Sequence, residues 1–228
     1  MPAQSRLVGP LLQQKQVDVL GVNLQSARFT LAVPDYMANA GVRTFADLQS
    51  HAEAFSRRVY GIEAGAPANE SIKRMIAGNG YGLSGWTLVE SSDAALLAQV
   101  AQAVRQRKPI VFLAWEPHIV NTRFKIHYLD GGEPYFEAQA GTASVRTVSR
   151  PGYRVACPNV AKLLSQLVFT VPLENQLIAL TSGEKLTPAD AARRLLRSQA
   201  ELLRRWLSGV NTASGGDTSA ALQALTAP

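Results

Sequence analysis

Ile110-Val111-Phe112-Leu113-Ala114 is an unbroken apolar run with no polar side chain alternating through it. A strand of this kind has no face to give to water, so it belongs inside a sheet covered on both sides. Neighbouring segments agree. Phe29-Thr30-Leu31-Ala32-Val33 reads as a strand stopped by Pro34, with Val59-Tyr60-Gly61-Ile62 and Trp86-Thr87-Leu88-Val89 as further strands. Helical stretches lie between them. Glu70 to Ala77 places Ile72, Met75 and Ile76 on one side, and Asp93 to Arg107 places Leu96, Leu97, Val100, Ala101 and Val104 on one face. Ser92 is set to cap the second helix, and Arg105, Arg107 and Lys108 suit the C-terminal end of its dipole. This βαβαβ rhythm predicts an α/β lobe with a mostly parallel sheet.

Beyond Phe124 the texture changes. Lys125-Ile126-His127-Tyr128-Leu129 and Ser144-Val145-Arg146-Thr147-Val148 read as strands separated by a Gly/Pro loop, and from Asn159 the chain reads as mainly helical. Thr187-Pro188 supplies an N-cap and a first-turn proline for one helix running through Leu195, Leu196, Leu202, Leu203 and Trp206 to Gly209. The tail 210–228, rich in Ala, Ser, Thr and Gly, is expected to be disordered.

Charge and cysteine content narrow the functional classes. The net charge is +6, but Arg193, Arg194, Arg197, Arg204 and Arg205 carry much of the excess on the outer side of the last helix. A solvated face accounts for them, and without aromatic–basic interleaving no nucleic-acid partner is expected. Cys157 is the only cysteine, which excludes an internal disulfide and any multi-cysteine metal centre. No apolar run approaches the ~18 residues of a membrane span, so direct membrane insertion is not expected. The first residues are too broken for an export signal, so as written the chain would stay in the cytoplasm. Gly80-Tyr81-Gly82-Leu83-Ser84-Gly85 matches the dinucleotide fingerprint literally. A helix precedes it and a strand follows, the reverse of what pyrophosphate binding needs, so it reads as a turn and no cofactor is expected.

Two places could hold a ligand. The loop Glu63-Ala64-Gly65-Ala66-Pro67-Ala68-Asn69 leads from a strand into a helix, where backbone N–H groups and the helix dipole favour an anion; its glycine serves equally well as a turn residue. Ala114-Trp115-Glu116-Pro117-His118 follows the most buried strand, at the carboxyl end where open α/β sheets bind ligands. Trp115 there is either a core side chain or a π surface for a cation. Glu116 and His118 suggest acid–base chemistry, but His51 and His127 offer no evident third member, so no enzyme is expected.

Taken together, Tyr60-Gly61-Ile62-Glu63-Ala64-Gly65, Leu88-Val89-Glu90-Ser91-Ser92, Ala98-Gln99-Val100, Val111 through His118 and Cys157-Pro158-Asn159-Val160 resemble the substrate-binding proteins of glycine betaine/choline ABC transporters, and most of all the choline-binding branch. The likeness runs from about Asp18 to Gly209, and the Trp-Glu-Pro-His segment is its most specific part. It implies a type II periplasmic-binding-protein fold of two α/β lobes with hinge crossovers. It also implies a periplasmic protein that passes a small quaternary amine to a permease and ATPase, without cofactor or chemistry.

On that likeness Trp115 matches one wall of an aromatic box, and Phe29 falls where choline-binding relatives have a tyrosine. Gly65 and Ala66 fall where relatives meet the ligand's polar end, with His118 and Asn69 as further candidates. Ala66 stands where an Asn is expected for choline, which favours a carboxylated ligand such as glycine betaine or carnitine. The family carries an export signal and opening βα units ahead of Val17-Asp18-Val19-Leu20. The expected organisation is therefore an incomplete first lobe: 1–30 as its remnant and a crossover strand, 31–123 as the second lobe, 124–209 as the return crossover and the rest of the first lobe, then the tail. A remnant or regulatory module without a transport role is the alternative reading.

Overall fold

A computed structural model of the chain describes residues 2–136 and 142–226. In chain order the elements are α1 (Pro2–Gln13), β1 (Asp18–Pro34), α2 (Asp35–Asn39), α3 (Asp47–Ser50), β2 (Arg58–Tyr60), α4 (Pro67–Ala77), β3 (Thr87–Val89), α5 (Asp93–Gln106), β4 (Phe112–Trp115), α6 (Ile119–Arg123), β5 (Ile126–Tyr128) and β6 (Thr142–Ser149). Then follow α7 (Tyr153–Ala156), α8 (Pro158–Gln166), α9 (Val171–Ile178), α10 (Pro188–Arg197), α11 (Ala200–Leu207) and α12 (Ser219–Thr226). The chain divides into two compact units, Met1–Gln4 with Ala27–Ala143 and Ser5–Ser26 with Ser144–Pro228.

In the first unit the strand order is β3-β2-β4-β1-β5. The strands joined through helical crossovers, β2-α4-β3-α5-β4, run parallel where they pair, because a parallel neighbour can be reached only by such a crossover. β1 and β4 are antiparallel, and so are β1 and β5, making the sheet mixed rather than mostly parallel as the sequence suggested. The apolar run ending in β4 lies inside the sheet, between β2 and β1. Its residues alternate between two cores. Val111 and Leu113 join Leu31, Val33, Phe45, Ile72 and Met75, while Ile110, Phe112 and Ala114 join Ala32, Leu96, Val100 and Tyr128. Ser92 caps α5 as expected, its hydroxyl accepting the Ala95 N–H. The unit is wider than 31–123, because β5 pairs with β1 and Leu129 and Phe136 enter the first core.

The second unit is mainly helical around Leu173, Leu195, Leu203 and Trp206. Thr187 caps α10, but the single helix expected through Trp206 is two, broken at Ser198-Gln199. At the break the Ser198 hydroxyl donates to the Leu195 carbonyl, and both helices keep their leucines on this core. Arg193, Arg194 and Arg204 pair with Asp190, Glu184 and Glu201, so part of the basic excess is neutralised where it stands. The tail, expected to be disordered, carries α12, whose Leu222 and Leu225 pack against the same core; that apolar pair outweighs the small-residue composition around it. Among the described residues no single helix is long and apolar enough to cross a membrane.

Candidate functional site

Phe29 and Trp115 are register partners in the β1–β4 pair, so both side chains leave the sheet on one face. Both are half-buried and lie against the edge of the first core. The next residues lock this register. The Glu116 N–H donates to the Arg28 carbonyl at 2.8 Å, the Arg28 N–H donates to Glu116 Oε2 at 3.2 Å, and the two side chains form an ion pair at 3.2 Å. The Arg28 guanidinium lies over the Tyr128 ring, 4.6 Å from its centroid.

Tyr128 is held well above the usual phenol range, by burial first and then by the charge of Glu116, so its hydroxyl keeps its proton and donates. It donates a hydrogen bond to Asn121 Oδ1 at 2.8 Å, and Asn121 Nδ2 donates in turn to the carbonyls of Trp115 at 2.8 Å and His118 at 3.1 Å. The backbone around the tryptophan is thus pinned at both ends.

His118 caps α6, with Nδ1 accepting the Val120 N–H at 3.3 Å. Nε2 bonds to Asp93 Oδ2 at 3.3 Å and lies 3.2 Å from Oδ1. The imidazole sits beside the Trp115 indole, ring centroids 4.3 Å apart and tilted by 38°. Both ring nitrogens therefore have protein partners.

The loop after β2 holds the other candidates. Gly65 has φ +82, which a side chain would strain, so the glycine makes the turn. The Ala66 N–H donates to the Glu63 carbonyl at 3.0 Å. Asn69, 0% exposed, organises the loop: Oδ1 accepts the Ile62 N–H at 3.1 Å, and Nδ2 lies within 2.9–3.0 Å of the Ile62 carbonyl, the Glu63 carbonyl and Glu90 Oε1. A Cβ at Gly61 would run into Asn69 Oδ1, so that glycine makes room for it. Glu90 is held below the usual carboxylate range, first by Lys73, then by Asn69, with a smaller contribution from the Gly65 N–H. Glu63 is lowered likewise by backbone N–H groups, its own before that of Asp93, which reaches it at 3.1 Å.

Of the loop's donors, the Glu63, Gly65 and Ala66 N–H groups already serve the chain's own carboxylate and carbonyl groups. Of the six sequence candidates, Phe29, Trp115 and His118 cluster at the β1–β4 end, while Gly65 and Ala66 lie in the loop and Asn69 in the first turn of α4. Glu63 and Asp93 link the two groups, through the Glu63–Asp93 bond and the Asp93–His118 contact. Sequence reasoning missed Arg28, Asp93 and Tyr128 as supports. Asp93 was legible as the acidic first residue of a capped helix, but Arg28 and Tyr128 become visible only with the strand register.

Residues 2–198 match the family described as the substrate binding domain of ABC-type glycine betaine transport systems. The chain is 23% identical over 165 residues to the glycine betaine/carnitine transport binding protein GbuC of Listeria monocytogenes, covering 72% of this chain and 54% of that protein. It is 43% identical over 70 residues to protein ORF1 of Chromohalobacter salexigens, covering 31% of this chain and 45% of that one. The chain thus spans about half the length of these curated relatives. An ABC-transporter choline binding protein in complex with choline superposes with TM-score 0.84 at 38% identity, covering 99% of this chain and 78% of that one. Lactococcal OpuAC, closed on glycine betaine, superposes with TM-score 0.72 at 26% identity, covering 90% and 76%.

Proposed function

The chain belongs to the family of substrate-binding domains of ABC-type glycine betaine transport systems, and from that premise we propose that it is the ligand-binding component of an ABC importer for quaternary amines. Phe29 and Trp115 hold the trimethylammonium group. The observation that carries this reading is their direct opposition on one sheet face. A quaternary ammonium carries no N–H and cannot be held by a conventional hydrogen bond, but the negative face of an aromatic ring attracts it. Two rings fixed by backbone register offer that attraction without reorganisation.

Binding rather than catalysis fits the surrounding groups. Glu116 is neutralised by Arg28, and both nitrogens of His118 are engaged, so neither is poised as a free base. The carboxylates of the loop weigh against the ligand preference suggested by Ala66. A carboxylate approaching it would meet Glu63 and Glu90 and find the Ala66 N–H already donating. Choline, whose hydroxyl can donate, is therefore preferred to glycine betaine or carnitine. The partners that follow from this role are the permease and ATPase of the importer, met on the periplasmic side of the membrane.

Titration of the purified chain with choline and with glycine betaine, followed by tryptophan fluorescence and calorimetry, tests the reading. Saturable binding abolished by Trp115→Ala supports it. A signal unaffected by that substitution sinks it.

A further inference from the structure

His118 touches Trp115 through its ring and touches Asp93 and Val120 through its two nitrogens, so whatever fixes His118 also fixes one face of the tryptophan. We infer that Asp93 and His118 form a positioning pair for Trp115, and that protonation of His118 weakens the hold on a quaternary ammonium. This rests on the quaternary-amine reading above and adds a proton dependence that the aromatic pair alone would not have.

With Nδ1 accepting the Val120 N–H, the neutral ring carries its proton on Nε2 and directs it at Asp93. A second proton must go to Nδ1, where it opposes the Val120 N–H and removes the cap of α6. The resulting imidazolium lies 4.3 Å from the indole, centroid to centroid, and competes with a ligand cation for the same π system. Both effects act in one direction. The charged groups around the imidazole are Asp93 at the start of α5, Glu63, which accepts the Asp93 N–H, and Glu116, which turns to Arg28 of β1. Of these, only Asp93 makes an ion-pair contact with the imidazole. A histidine changes charge between about pH 5 and 8, within reach of the medium outside a cell.

Choline titrations of the full chain, wild type, His118→Asn and Asp93→Asn, across about pH 7.5 to 5.5 test the pair. Asn at position 118 keeps an acceptor for the Val120 N–H but cannot take up a proton. The wild type is expected to lose about tenfold in choline affinity over this range. The His118→Asn profile stays flat, whereas Asp93→Asn, which keeps an acceptor for Nε2, retains the loss. The Trp115 indole N–H resonance of the ligand-free chain provides a separate readout, titrating in the wild type and not in His118→Asn. An indole resonance that titrates equally in both, or a wild-type choline affinity unchanged with pH, overturns the inference. Absence of choline binding at the higher pH instead overturns the quaternary-amine reading, while the ligand-free titration still decides the pair.

Discussion

Phe29 of β1 faces Trp115 of β4 directly across an antiparallel pair, and the two rings rise from the same side of the sheet. The face they share is lined below by Leu31 and Leu113, the next such pair two residues along, so the rings stand on packed core rather than on a loop. A cation held there meets surfaces already in place.

Removing one ring should therefore cost binding more than folding. Trp115→Ala is expected to weaken choline affinity at least tenfold, since a desolvated cation–π contact is worth about 2 kcal/mol. Phe29→Leu should lose several-fold, while Phe29→Tyr, which keeps the π face, should bind within about threefold of wild type. Calorimetric titration of the three variants checks the order.

The ion pair beyond the rings holds their register. Arg28→Ala leaves the Glu116 carboxylate, 12% exposed, without its partner and should destabilise the first unit by about 1 kcal/mol, after allowance for the half-exposed arginine. Glu116→Gln, whose one amide oxygen can still accept the Arg28 backbone and Nε N–H groups, should cost less. Urea denaturation followed by near-ultraviolet circular dichroism distinguishes the two.

Asn69 is predicted to be the least replaceable polar residue of the loop. Asn69→Ala strands the Ile62 N–H, leaves the Ile62 and Glu63 carbonyls only their Ser91 and Ala66 N–H donors, and should cost about 1–3 kcal/mol. Asn69→Asp should be at least as harmful near neutral pH, because it turns a carboxylate toward two carbonyls and Glu90. That variant alone should gain stability relative to wild type as the pH is lowered and the new carboxyl protonates. Thermal melts of both variants at two pH values test the difference.

Asp47 supplies an acid-sensitive contribution. Its carboxylate accepts the Arg43 and Thr44 N–H groups and the Thr44 hydroxyl, which hold it below the usual range, the Arg43 bond foremost. A depressed carboxyl stabilises the fold above its unfolded-state value and loses that effect as pH falls through the folded one. Asp47→Asn should therefore be less stable than wild type near neutral pH, with the gap closing in acid. Denaturation midpoints measured down the pH scale check this.

Much of this was legible in the chain itself, for reasons that differ between residues. The apolar run at Ile110 to Ala114 could only be an interior strand, and the Ser92 and Thr187 caps marked helix starts through local hydrogen bonding that needs no tertiary context. Trp115 stood out because its position at a strand end was fixed by that same run. Strand direction was not legible, because the antiparallel placement of β1 depends on partners distant in sequence. The contact of Glu90 with the Gly65 N–H was hidden for the same reason: an anion-favouring turn looks identical whether a ligand or a distant side chain of the same protein meets it. Likewise Leu222 and Leu225 are too few to mark a helix in a small-residue tail until the core they cover is in place.

On the reading proposed above, opposed aromatic rings on one sheet face hold a quaternary ammonium. The most direct measurement is a calorimetric titration of the wild-type chain and Trp115→Ala with choline near neutral pH, with ammonium chloride as a control that lacks the methyl groups. Saturable choline binding to wild type only, with no response to ammonium, is the predicted result. Failure to bind choline up to about 10 mM, a concentration that would reveal even millimolar affinity, or equal binding by Trp115→Ala, contradicts it.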